Sequence, residues 1–266
     1  MSLRLPALVI QNKWVLITGA SSGLGASLAR EIAVKHGANL LLASRRLHLM
    51  EDLATSIQAE RPVQIVPIEA DLSHADGVAE VVKRIVRYKP VAAVLNAGVT
   101  RYGPVSTDMV EADRAIVATN IMGFTELLHY LVTHFSSADE RRAILAVSSL
   151  GGETTLPDQA VYGASKAYVT NLTLAVRAQL KNSHLSIGVF IPGGIATDMG
   201  ALSGIDARSL AYRWGMSRPE YCAHLAVRAL TSGRAVTIPG VLNRAAYLLA
   251  RHMPRTWIAA AADRLP

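Results

Sequence analysis

A single cysteine, Cys222, in a chain of 266 residues leaves no partner for an internal disulfide, so a reducing cytoplasm is the expected setting. The same scarcity removes a zinc-type cysteine cluster. None of the eight histidines forms a HisXXXHis pair, and no metal site is expected. Aromatic residues make up only 5% of the chain, which bears on the formal charge of +7. The basic residues are dispersed, and without stacking rings between them they form no nucleic-acid platform. Long apolar runs are missing too: no window offers the roughly 18 consecutive apolar residues that a membrane helix needs. The opening LRLPALVI is short, lacks a small-residue cleavage site and runs into the strand-like QNKWVLITG, so no signal peptide is expected.

What is present is 51% hydrophobic and only 18% charged, enough to bury a large core. Short β-branched runs alternate with longer helical patterns. The strands read as 13–18, 39–44, 63–68, 91–96, 142–148, 185–190 and 235–238, with helices near 24–36, 47–59, 75–87, 107–134, 160–181 and 218–231. Strands apolar on both faces and separated by helices imply a parallel sheet covered on each side. The expected fold is a single-domain, doubly wound Rossmann-type α/β domain of about seven strands over residues 1–266, with a core at 12–240 and a helical tail at 241–266.

In such a sheet, ligands sit beyond the carboxyl ends of the strands, where strand order reverses. The first strand ends in TGASSGLG, placing Gly19, Ser21, Ser22, Gly23, Leu24 and Gly25 at the turn into an amphipathic helix. Glycines let a backbone turn tightly and approach a pyrophosphate, and the helix start supplies free N–H groups and partial positive charge. The spacing Gly-X-X-X-Gly-X-Gly differs from the usual dinucleotide fingerprint.

With TGASSGLG, NAG at 96–98, Ser149, and YGASK at 162–166, the sequence closely resembles the classical short-chain dehydrogenases/reductases, from about residue 12 to 240. Ser149 stands 13 positions before Tyr162, the family spacing, which selects it over Ser148. Asn120, in TNIMG, falls where the family carries its fourth catalytic residue.

Tyr162 and Lys166 are four positions apart, one turn on one helical face, so the ammonium is expected to favour the phenolate and bring it toward working pH. Tyr162 then exchanges a proton with an alcohol or carbonyl oxygen, and the Ser149 hydroxyl holds that oxygen as charge develops. The resemblance gives Lys166 a second task on the nicotinamide ribose and gives Asn120 a water in a proton relay. No GXSXG elbow surrounds either serine, which argues against a hydrolase.

Cofactor choice turns on the end of the second strand. Ser44 stands where an acidic residue would bind the ribose 2′-OH of NAD, and Arg45 and Arg46 follow; guanidiniums attract the 2′-phosphate of NADP. NADP(H) is the expected cofactor, with NAD(H) as the alternative. The resemblance adds Asp71 and Leu72 against the adenine and Asn96, Ala97 and Gly98 along the cofactor. It also assigns Pro192, Gly193, Ile195 and Thr197 of PGGIAT to the nicotinamide loop.

Residues 199–216 combine glycines with Leu202, Ile205, Trp214 and Met216, a composition expected of a lid over an apolar carbonyl substrate. The tail's basic residues form no dense cluster, so it is expected to cover a subunit edge or the pocket rather than lie on a membrane surface. The family commonly assembles as homodimers or homotetramers through helices corresponding to 107–134 and 160–181. The expected activity is carbonyl reduction or alcohol oxidation. Reduction of a 3-oxoacyl thioester, or nucleotide sensing without turnover, are the alternatives, and the intact tetrad speaks against the last.

Overall fold

A computed structural model describes residues 6–180, 183–196, 216–254 and 256–258. Seven parallel strands form one sheet in the order β3-β2-β1-β4-β5-β6-β7: β1 Trp14–Thr18, β2 Asn39–Ser44, β3 Ile65–Glu69, β4 Ala92–Leu95, β5 Arg142–Val147, β6 Leu185–Phe190 and β7 Val236–Thr237. The expected strands are all present, shorter by a residue or two at some ends. Pro67, which cannot donate to a ladder, lies in the edge strand β3, where that loss is tolerated.

Alternation along each strand feeds two cores. Val15 and Ile17 of β1 face a layer built by helices α1 (Gly23–Arg30), α2 (Leu47–Glu60) and, far along the chain, Pro219–Ser232. Leu16 of the same strand faces Val81 and Ile85 of α3 (Ala75–Tyr88) and the fully buried Phe135. Removing a ring like that of Phe135 costs about 3–5 kcal/mol. The strand order reverses between β1 and β4, which pair directly. A ligand crevice therefore opens above their carboxyl ends.

The unbroken helix expected at 107–134 is segmented. A 3-10 turn at Thr107–Met109 leads into α4 (Val110–Val117), a π-helical turn at Ala118–Gly123, and α5 (Phe124–Ser136). The π turn carries Asn120 inward, where its amide oxygen accepts from Val99 N at 2.8 Å and its amide nitrogen donates to Val99 O at 2.9 Å. Periodicity alone does not reveal such an inserted residue. The 107–136 run is apolar enough to span a bilayer by composition; its apolarity is accounted for by Phe124, Leu127, Leu128, Leu131 and Phe135 buried against the sheet. The helix expected at 24–36 likewise ends in a π-helical turn, Glu31–Lys35. Then follow α6 (Ala160–Gln179), α7 (Pro219–Ser232) and, in the tail, α8 (Val241–His252).

Candidate active site

The crevice above β1 and β4 is a cleft of about 760 Å³. Its first wall is the turn after β1. Gly19 is at φ +65°, and a methyl on Gly25 would lie 2.0 Å from the carbonyl oxygen of Gly19, so only glycine lets α1 begin this close to the strand end. Ser21, Ser22, Gly23 and Leu24 line the cleft between them. Behind the turn, Asn96 Nδ2 donates to the carbonyls of Thr18 and Gly19 at 3.0 and 3.1 Å. The Thr18 hydroxyl accepts from the backbone N–H of Asn96 and Ala97, both at 3.0 Å. Asn96 thus braces the glycine turn as well as lining the cleft.

Arg45 and Arg46 rise from the end of β2 onto the cleft rim. The Arg46 guanidinium donates to Ser21 Oγ at 2.9 Å and to Ser22 Oγ at 2.7 Å, clamping the glycine turn. Ser44, at the position of the missing acid, accepts from Arg46 N at 3.1 Å. Asp71 and Leu72 follow β3 on the same side of the cleft. Burial would raise the Asp71 pKa, but Ser73 donates its hydroxyl at 2.7 Å and its N–H at 3.0 Å, and with Arg45 nearby the carboxyl is held below its ordinary range.

At the other end, Ser149, Tyr162 and Lys166 converge on the cleft with Pro192, Gly193 and Ile195. Ser149 follows β5, and its Oγ accepts from Gly151 N at 3.1 Å. Ser148 also lines the cleft, but its hydroxyl is committed elsewhere, bonding Lys166 O at 2.8 Å and Thr170 Oγ1 at 2.7 Å. The choice of Ser149 over its neighbour thus has a geometric basis. Gly98 sits at the centre, where a methyl would lie 3.1 Å from Lys166 Nζ and 3.3 Å from Asn120 Oδ1.

Lys166 and Asn120 are both engaged by the protein itself. Lys166 Nζ donates to Val147 O at 3.0 Å and lies 5.9 Å from the Tyr162 ring centre. Burial raises the Tyr162 pKa, with Ser149 pulling it back and Tyr102 pushing it further up; burial also lowers Lys166 to about 8. In the protein alone, burial dominates at both groups, pushing the phenol up and the amine down. Asn120, only 1% exposed, stands behind the cleft wall, with its amide engaged by Val99 and by the Ser165 hydroxyl at 3.0 Å. Ser165 in turn donates to Tyr162 O at 2.7 Å, joining Asn120 to the catalytic helix.

Thr197 and most of the expected lid, 199–215, lie outside the described residues. Their flanks are described: Ser217 N donates to Gly194 O at 2.9 Å and Ala196 N to Ser217 O at 3.1 Å, so the segment leaves and returns at one point on the rim. Met216 lines the cleft. The sequence reading missed Tyr102, Thr154, Leu156, Gln159 and Asn243, all cleft-lining. Nothing in their local pattern marks them, because loops and the tail helix bring them in from separate parts of the chain.

A model of the family described as short chain dehydrogenase matches residues 13–206. The chain belongs to this family. It is accordingly an oxidoreductase with a nicotinamide dinucleotide site. Over 193 residues it is 29% identical to a 7beta-hydroxysteroid dehydrogenase of Clostridium sardiniense, covering 70% of each chain. A solved structure described as giving insights into 7beta-hydroxysteroid dehydrogenase stereoselectivity superposes with a TM-score of 0.86 at 23% identity, over 99% of this chain and 100% of that one, a likeness of fold. A short-chain dehydrogenase from Sphingobium yanoikuyae in complex with NADPH superposes with a TM-score of 0.79 at 25% identity, over 91% of this chain and 97% of that one.

Proposed function

We propose that this short-chain dehydrogenase interconverts a bulky, largely apolar ketone and its secondary alcohol with NADP(H). The observation that carries the reading is the convergence of Ser149, Tyr162 and Lys166 in the cleft that also holds the glycine turn and the two rim arginines. The residues fit the cofactor: the close-packed turn at Gly19 and Gly25 leaves room for a pyrophosphate at the start of α1. Arg45 and Arg46, with Ser44 in place of an acid, suit a 2′-phosphate. When bound, the nicotinamide supplies or accepts the hydride.

Tyr162 gives its phenolic proton to the carbonyl oxygen during reduction and takes one back during oxidation. Ser149 donates a hydrogen bond to the same oxygen, and stabilises charge there because its own position is fixed by Gly151 N. With the cofactor bound, Lys166 would hold the ribose and, its burial then offset by cofactor oxygens, would favour the phenolate. Asn120 fixes the Val99 backbone and, through Ser165, the turn that carries Tyr162. Leu150, Leu156, Val99 and Tyr102 give the substrate end apolar walls, and the relative named a hydroxysteroid dehydrogenase supports a substrate of that size. Val117, Met122 and Tyr168 are exposed on the α4 to α6 side, a face suited to pairing with a second copy.

The test is a screen of steroid ketones, smaller ketones, aldehydes and acyl thioesters with NADPH, followed by nicotinamide absorbance. Turnover confined to acyl thioesters would replace the ketone reading, and no turnover of any carbonyl would end it.

A further inference from the structure

Helix α8 turns its apolar side away from the protein. Val241 and Leu242 are 80% and 81% exposed, Leu248 and Leu249 56% and 60%, and Trp257 just beyond is 66% exposed. Positions 241, 242, 245, 248 and 249 fall on one helical face. The opposite side is engaged: Tyr247 is buried, and Asn243 lines the cleft and donates to Pro239 O at 2.8 Å. The helix therefore contributes Asn243 to the cleft wall and carries on its other side an apolar stripe that is unpartnered among the described residues.

Charge selects the occupant. From Tyr221 to Ala262 the sequence has no aspartate or glutamate and has five arginines, at 228, 234, 244, 251 and 255. Arg244 and Arg251 lie beside the stripe, where Arg244 Nε donates to Ile238 O at 3.0 Å and Arg251 donates to the Tyr247 hydroxyl at 3.3 Å. Neither bond neutralises a charge. Two copies packed through this face would bring Arg244 and Arg251 of one against the same arginines of the other, which disfavours self-association here. An anionic lipid surface satisfies both halves of the pattern, taking the apolar side chains into its acyl boundary and the guanidiniums onto its phosphates.

We propose that α8 docks this protein on anionic bilayers, with Val241, Leu242, Leu248 and Leu249 inserted and the flanking arginines on the headgroups. Because Asn243 lies on the same helix, docking brings the cleft wall within about one helix diameter, roughly 10 Å, of the lipid. The docking does not depend on the reaction assigned above.

The test is co-sedimentation of the full chain with vesicles of phosphatidylglycerol mixed with phosphatidylcholine, and with phosphatidylcholine alone. About ten-fold more protein is expected in the pellet with the anionic vesicles, falling as salt screens the arginines. The double variant Leu242→Asp/Leu249→Asp should stay in the supernatant with unchanged circular dichroism and cofactor binding. A readout on the unmutated protein removes dependence on that variant's folding: anionic vesicles should shield Trp257 from a soluble quencher, an effect lost in Trp257→Phe. Wild-type protein that stays in the supernatant with anionic vesicles, or a well-folded double variant that pellets as wild type does, overturns the proposal. So does a double variant that loses oligomers and leaves vesicle binding intact.

Discussion

Lys166 Nζ donates to the carbonyl oxygen of Val147 at 3.0 Å, and so the buried cation is held by the end of β5 instead of by the phenol one turn before it. Burial lowers its pKa from 10.5 to about 8. The unfolded chain keeps a proton on this amine up to about 10.5, whereas the folded protein sheds it near 8, so the unfolded state binds more protons between these values. Stability therefore gains from rising pH across that window. Melts of the cofactor-free protein and of Lys166→Met should show wild type gaining on the variant from pH 8 upward, by on the order of 3 kcal/mol in full. A constant difference across the window would contradict the burial of a charged Lys166.

Tyr162→Phe keeps the ring and removes the exchangeable proton. We expect turnover to fall by about 10²-fold or more, with NADPH affinity nearly unchanged in a fluorescence titration. Retained turnover on a substrate with rate-limiting chemistry would remove Tyr162 from the mechanism.

The two serines should separate cleanly. Ser149→Ala should lower kcat by about 10²-fold and leave the melting temperature close to wild type. Ser148→Ala removes the buried hydroxyl that bonds Thr170 Oγ1 and the Lys166 carbonyl. It should cost about 1–3 kcal/mol of stability while retaining most activity. Equal kinetic losses in two well-folded variants would undo the distinction.

Arg46 meets both serines of the glycine turn, so its removal should both loosen that turn and erase phosphate recognition. Arg45→Ala/Arg46→Ala should weaken NADPH binding by about 10- to 100-fold, since hydrogen bonds to charged groups contribute roughly 1.5–3 kcal/mol each. NADH binding should fall much less. Calorimetric titration of both cofactors checks this, and equal affinities in wild type would remove the basis for an NADP preference.

Gly25→Ala forces a methyl to within 2.0 Å of the Gly19 carbonyl oxygen, a contact that only a shift of α1 relieves. Lower thermal stability and at least about ten-fold weaker binding of either cofactor are expected. Wild-type affinity for both would show that the turn does not hold the pyrophosphate.

Much of this molecule is legible one residue at a time. Strands β1 to β7 stand out because apolar side chains on both faces of a short run have no other use in a chain of this composition, and the glycine turn, Ser149, Tyr162 and Lys166 because their spacing is local. Tertiary structure decided what depends on neighbours far along the chain. The extra residue of the π turn that swings Asn120 onto Val99 leaves no mark in periodicity, and neither does the meeting of Tyr102, Gln159 and Asn243 at one cleft. The Tyr162 and Lys166 pKa values followed the same division: spacing places the two on one face, but their protonation depends on how much water the fold leaves around them, and that is set by β5, α6 and the loops packed over them. Helix α8 is the last such case, since an apolar stripe looks the same in sequence whether it faces a core or solvent, and only the packed fold shows that this one faces out.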